Sequence, residues 1–289
     1  MDNKRRKFLK IAGLSAVAGI GAPAALNMLI KGDVQASSQG HGDDHGHGGH
    51  GGHEEAKAHG AHHEEVKLGK RYGLVIDVHK FNNSPGLAQK CINACHETFN
   101  VPDFGNKKDE IKWLWEEPYA HAFPGHSHYK KNTELHHMSF LVTCNHCDNP
   151  PCVRACPTKA TFKNEDGIVM MDFHRCIGCR FCMAACPYGA RSFNWRDPRG
   201  TWYGKPVIKK VNPEFPTRMR GVVEKCNFCA GRLKKGLPPK CVEATGETKA
   251  MVFGDLNDPE SEVSKVLKDH FTIQRKPALG TKPSVFYII

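Results

Sequence analysis

The sequence predicts an α+β chain assembled from small repeated cysteine-rich units, and three observations carry that expectation. Thirteen cysteines fall into repeating spacings, with two complete blocks, Cys144-x2-Cys147-x4-Cys152-x3-Cys156-Pro157 and Cys176-x2-Cys179-x2-Cys182-x3-Cys186-Pro187. The apolar segments around them are short, of strand or single-turn length, and are divided by glycine, proline and asparagine turns. Beyond residue 36 no run approaches the eighteen or more apolar residues that a membrane-spanning helix needs.

Two N-terminal stretches are set apart from the folded region. Residues 4–10 read Lys-Arg-Arg-Lys-Phe-Leu-Lys, a twin-arginine pattern, followed by the weakly apolar run Ile11 to Leu29 and small residues at Val34-Gln35-Ala36. Glycines and Pro23 interrupt that run, so a cleaved signal peptide over 1–36 is expected rather than a retained anchor. The twin-arginine translocase is then a partner, and the mature protein is periplasmic. Residues 37–70 are rich in His, Gly, Glu and Ala and have no apolar periodicity, which reads as a disordered tether. Its imidazoles, among them His41, His45, His47, His50 and His53, could bind divalent metal weakly.

The folded part is expected over 71–289. Gly73 to Val78 reads as a strand, and Asp109 to Glu116 as another, with Ile111, Trp113 and Trp115 alternating. Leu135 to Thr143 runs as a strand into the first complete block. Ala160 to Asp172 carries the turn Asn164-Glu165-Asp166-Gly167 between apolar arms, a hairpin. Arg180 to Ala185 and Ala230 to Lys235 read as short helical turns behind cysteines. Val263, Val266 and Leu267 place a helix over Glu260 to His270, and Ser284 to Ile289 forms the last strand. An inner module is expected over 136–200 and an outer one from 71–115 and 220–255. Little conventional core is expected, so bound cofactors should contribute to folding.

The cysteine spacing points to [4Fe-4S] cubanes, and the architecture to tandem ferredoxin-like modules. Three closely spaced thiolates supply three corners of a cubane, and the fourth, just before a proline, reaches the neighbouring cluster. One set is therefore Cys144, Cys147, Cys152 and Cys186, and the other is Cys176, Cys179, Cys182 and Cys156. Zinc competes for CxxC pairs, and disulfides compete for any exported cysteine.

Two further blocks are incomplete. Cys226-x2-Cys229-x11-Cys241 has Thr245 in the slot of a fourth ligand; the first block has only Cys91 and Cys95, preceded by Phe81-Asn82-Asn83-Ser84. Exchange of fourth ligands gives a third cluster from Cys226, Cys229, Cys241 and Cys95, a degenerate fourth site, and a free Cys91. Cys91-x3-Cys95-His96 also approximates a c-type haem signature, with one residue too many.

Charge excludes one class of partner. The formal net charge is +11, but residues 1–36 hold four of that excess, and each oxidised cubane adds about −2. A near-neutral mature protein gives no reason to expect nucleic acid. Arg175, Arg180 and Lys225 lie beside ligands and could raise a cluster potential, although solvated surface charge is the plainer reading. His146 is expected near a cluster or exposed, not on iron; Trp195 and Trp202 are expected to be packing residues.

Four blocks in this order, with Cys-Asn-His-Cys-Asp-Asn-Pro-Pro-Cys at 144–152 and Cys-Ile-Gly-Cys-Arg-Phe-Cys-Met-Ala-Ala-Cys-Pro at 176–187, resemble the electron-transfer subunits of the dimethyl sulfoxide reductase and polysulfide reductase type. Within that group, the twin-arginine start and the segment Phe253 to Ser261 resemble exported subunits of sulfur-linked membrane complexes. The resemblance implies single-electron relay with no catalytic site of its own. It also implies docking on a polytopic NrfD-like, quinone-interacting membrane subunit and a multihaem cytochrome c on the other side. An exported molybdopterin oxidoreductase is the alternative assembly; the departures at 81–84 and Thr245 weaken it.

Overall fold

The computed structural model describes residues 69–125 and 134–289. Residues 1–36, read from the sequence as a signal peptide, and the histidine tract with His41, His45, His47, His50 and His53 lie outside the described residues.

The strand Tyr72–Asp77 is buried from Gly73 through Ile76, so it has no solvent face and its apolar run is continuous, not alternating. It sits second in a four-stranded sheet ordered Met251–Asp255, Tyr72–Asp77, Val285–Ile288 and Thr272–Ile273. It pairs antiparallel with the first, Leu74 opposite Phe253, and parallel with Val285–Ile288, Leu74 opposite Val285. Asp77 ends the strand and caps the helix Val78–Asn82, its carboxylate accepting from the Lys80 N–H at 2.9 Å. The helix Leu87–Thr98 follows left-handed Gly86 and buries Leu87, Cys91, Ile92 and Cys95 on one face. A second ladder pairs Leu114–Pro118 with Ser139–Thr143, Leu114 opposite Thr143. Aromatic contacts of Phe123 with Phe140 (5.3 Å) and Tyr287 (5.5 Å) tie this ladder to the main sheet.

The expectation of little conventional core is corrected. Trp113, Phe123, Phe140, Leu74, Ile76 and Tyr287 are almost wholly buried in one continuous cluster, each contributing about 1.5–3 kcal/mol. The segments without complete cysteine blocks build this core by pairing early strands with late ones. The strand expected over 109–116 is also displaced, to Leu114–Pro118. Upstream, the Lys112 N–H donates to Ser192 Oγ at 2.8 Å and Trp113 Nε1 to Glu224 at 2.9 Å, which hold that stretch outside a ladder. Residues 134–137 form a 3₁₀ turn before the strand Ser139–Thr143. The hairpin lies at Thr161–Lys163 and Val169–Met171.

A buried polar post completes the frame. Arg218 and Glu224, both fully buried, form an ion pair that Trp113 Nε1 and Asn194 Nδ2 complete on the carboxylate side. The guanidinium also donates to the carbonyls of Phe99 and Asn100.

Candidate metal centres

All thirteen cysteines are free thiols, and twelve of them line three cages. Cys144, Cys147, Cys152 and Cys186 surround the first cage, together with Pro150, Pro151 and Arg191. Cys156, Cys176, Cys179 and Cys182 surround the second. Cys95, Cys226, Cys229 and Cys241 surround the third, walled by Leu74, Phe99, Phe228 and Phe253. Each expected ligand set is thus brought together by the fold, and Cys91 lines none of these cages. Among the described residues no three His, Cys, Asp or Glu side chains converge on a point that one ion could hold. The thiols enclose volumes instead, and four thiols per volume is a donor set that fits a cubane.

The loops repeat one backbone device. The residue before the second cysteine has positive φ in all three: His146 at 39°, Gly178 at 71° and Phe228 at 48°. This left-handed step turns a two-residue linker back on itself so that both thiols face inward. At Gly178 a Cβ would lie 2.3 Å from the carbonyl oxygen of Gly221. Gly178→Ala is therefore expected to lose the iron of the second cage and to destabilise the fold by more than about 1–2 kcal/mol, read by iron assay and urea unfolding.

The Cys-Pro endings repeat as well. The backbone N–H groups of Thr158 and Ala160 point at Cys156, and those of Tyr188 and Ala190 at Cys186. Phe228 N–H donates to Cys226 Sγ at 3.4 Å, and Lys240 N–H to Cys229 Sγ at 3.3 Å. Such N–H···S bonds orient thiolates and lower their electron density. Burial, reinforced by Cys144, pushes the Cys147 thiol up to about 12; burial and Cys226 do the same at Cys229. Cys95 is raised by burial, then by Cys226, Cys241 and Cys229. Ionisation of these thiols must accompany metal binding.

The third cage explains the odd spacing in the first block. Cys91 and Cys95 lie one turn apart on the buried face of Leu87–Thr98, which packs on the helix Lys240–Thr245. Cys95 faces the cage, while Cys91, fully buried, is pushed to about 11 by burial. Thr245 is buried too, its hydroxyl donating to the Val242 carbonyl at 2.7 Å. Helix-on-helix packing therefore occupies the place where a fourth cage would need thiols.

Other expected residues fall differently. Arg175 is exposed and pairs with Asp172 at 3.3 Å. Arg180 is exposed and stacks on Trp195 at 4.7 Å; Trp195 is 45% exposed, so it is corrected from a packing residue to a surface one because its neighbours leave one face open. Trp202 is half-buried against the core. His146 is buried and stacked on Phe228 at 3.7 Å, and burial, then Lys225 and Arg191, hold its imidazole well below the usual range. Lys225 is fully buried between cages, not solvated. Arg191 was not anticipated; its signal in the sequence is that it stands five residues after Cys186, as Thr161 stands after Cys156.

Comparison with known proteins places these cages in a lineage. Residues 136–200 match the 4Fe-4S dicluster domain. The sequence is 40% identical to the Hdr-like menaquinol oxidoreductase iron-sulfur subunit 1 of Archaeoglobus fulgidus, over 78% of this protein and 85% of that one. It is 37% identical to the menaquinone reductase iron-sulfur cluster-binding subunit of Nitratidesulfovibrio vulgaris (78% and 90%). It is 34% identical to a polysulfide reductase subunit of Wolinella succinogenes (76% and 95%). Identity sustained across most of both partners in each comparison, on a fold that gathers twelve cysteines into cages, makes this protein a member of the family of iron-sulfur electron-transfer subunits of polysulfide and dimethyl sulfoxide reductase type.

Proposed function

We propose that this protein is an exported relay carrying three [4Fe-4S] clusters, held by Cys144, Cys147, Cys152 and Cys186; by Cys176, Cys179, Cys182 and Cys156; and by Cys226, Cys229, Cys241 and Cys95. A cubane supplies reversible one-electron storage with no proton or group transfer. The observation that carries the reading is that the first cage adjoins both of the others. Cys226 of the third interacts with Cys144 of the first, and Cys152 of the first with Cys182 of the second. The first cage is the middle one.

The assembly that fits this relay best is a sulfur-linked respiratory complex of the DsrMKJOP kind, with this protein in the place of DsrO. An NrfD-like membrane subunit would exchange electrons with it on one side and a multihaem cytochrome c on the other. The quinone- and polysulfide-linked names of the relatives support that choice, as does the helix packing where a fourth cage would lie. The twin-arginine pattern and residues 1–36 support export to the periplasm.

Purified holoprotein should contain about twelve iron atoms and give cubane EPR signals on reduction. Iron near sixteen atoms would contradict the three-cage assignment. Purification of the intact membrane complex separates the assemblies: haem and a polytopic subunit are expected, and a pterin-containing subunit would instead support the molybdoenzyme alternative.

A further inference from the structure

Two cations are buried between the cages, and among the described residues no carboxylate balances them. Lys225 is 1% exposed; its Nζ donates to the Cys226 carbonyl at 2.7 Å and to that of Val169. The thiols facing it are those of Cys144, Cys226 and Cys152. Its neighbour Glu224 is committed elsewhere, to Arg218, Trp113 and Asn194. Arg191 is 4% exposed; its Nη1 donates to Thr161 Oγ1 at 3.1 Å, and it faces Cys152, Cys182 and Cys144.

A buried charge without a counter-ion is strongly unfavourable. Two such charges around one cage are stable only if the cage holds an anion. A cubane with four thiolates is such an anion, and reduction makes it more negative by one charge. A fixed cation nearby therefore favours the reduced state. Among the buried cations the arrangement is unequal: Arg191 is shared by the first and second cages, Lys225 by the first and third, and only the first cage has both, whereas Arg180 at the second cage is exposed and Arg232 near Cys229 is paired with Glu243. The two repeats show the same asymmetry, with a guanidinium five residues after Cys186 and a hydroxyl five residues after Cys156.

We propose that Arg191 and Lys225 poise the relay, making the middle cage its highest-potential site, an electron well between two lower outer sites. This rests on the ligand sets proposed above. Each step is a one-electron exchange between neighbouring cages; no bond forms or breaks, and the electron gained at the middle cage is the one lost by an outer cage.

The test is an EPR-monitored redox titration of the full cluster-loaded protein, wild type against Arg191→Gln, Arg191→Lys and Lys225→Gln. Arg191→Gln should lower the reduction equilibrium constant of the highest-potential cluster about tenfold, ~59 mV for one electron. It should move a second cluster in the same direction and leave one unmoved. Lys225→Gln should again lower the highest-potential cluster but move the other outer one. Arg191→Lys, which keeps the charge, should stay within about threefold of wild type.

Unchanged midpoints at full iron content, or an equal shift of all three clusters, would overturn the proposal. If Arg191→Gln loses iron, full iron with a near-native midpoint in Arg191→Lys still supports a charge role, whereas loss there too overturns it. Wild-type iron is assayed first: a value near eight atoms would sink the three-cage assignment and the poising proposal with it, a failure separable from unmoved midpoints.

Discussion

Cys95→Ala is expected to lower the iron content from about twelve to about eight atoms per molecule, with the loss confined to one cubane. The residue is buried on the helix Leu87–Thr98 and is the only thiol of the third cage contributed by the first half of the sequence. The other three, Cys226, Cys229 and Cys241, come from the last block. No other residue lining the cage offers a thiol: Cys91, one turn away, does not line it, and Thr245 is engaged with Val242. EPR of the reduced variant should retain two interacting clusters and lose the third. Full iron with three unaltered signals would remove Cys95 from the ligand set. Cys91→Ala serves as the contrast: it deletes a buried thiol from a helix interface and should leave iron content intact.

Arg218→Ala is expected to cost about 3–5 kcal/mol, because it strands the Glu224 carboxylate in the core. Glu224 is fully buried, and its remaining donors, Trp113 Nε1 and Asn194 Nδ2, supply no charge. The guanidinium also fills a space edged by Trp113 (5.5 Å) and Phe215 (5.4 Å), so truncation opens a cavity as well. The midpoint of thermal unfolding, followed by circular dichroism, should fall by roughly 10 °C or more. Glu224→Gln combined with Arg218→Met removes both charges and should recover much of the loss. A double variant as unstable as the single one would locate the cost in packing rather than in the unpaired charge.

Which thiols meet was legible in the sequence, because tight-loop spacing and the Cys-Pro endings are local constraints with few geometric solutions. Even the defects at Thr245 and in the first block carried information, and both map onto one helix contact. The core was not legible. Tyr72–Asp77 pairs with strands near residues 251–255 and 285–288, and no local pattern announces a partner so far along the sequence. The twelve-residue helix Leu87–Thr98 was missed because Cys91 and Cys95 read as a broken motif when they are one turn of a buried face. Arg191 escaped because it stands five residues from the nearest cysteine, and Lys225, weighed as a cation that could raise a potential, kept surface charge as its plainer reading because burial is not visible in the sequence. The strand at 109–116 was misplaced because Trp113 is buried through a polar contact to Glu224 rather than through a ladder.

The third cage also has a bearing on biosynthesis. With the proposed ligands, the first two cages need nothing beyond residue 186, whereas the third joins residue 95 to residue 241. Translation must pass the last of these before it can be filled. Closing a loop of roughly 130 residues between Cys95 and Cys226 has an entropic cost that grows only slowly with length, so the stitch is feasible but necessarily late. The ligand sets thereby become available in an order, inner pair first and outer site last. A product ending before Cys241 would lack a ligand of the third cage whatever the state of the first two.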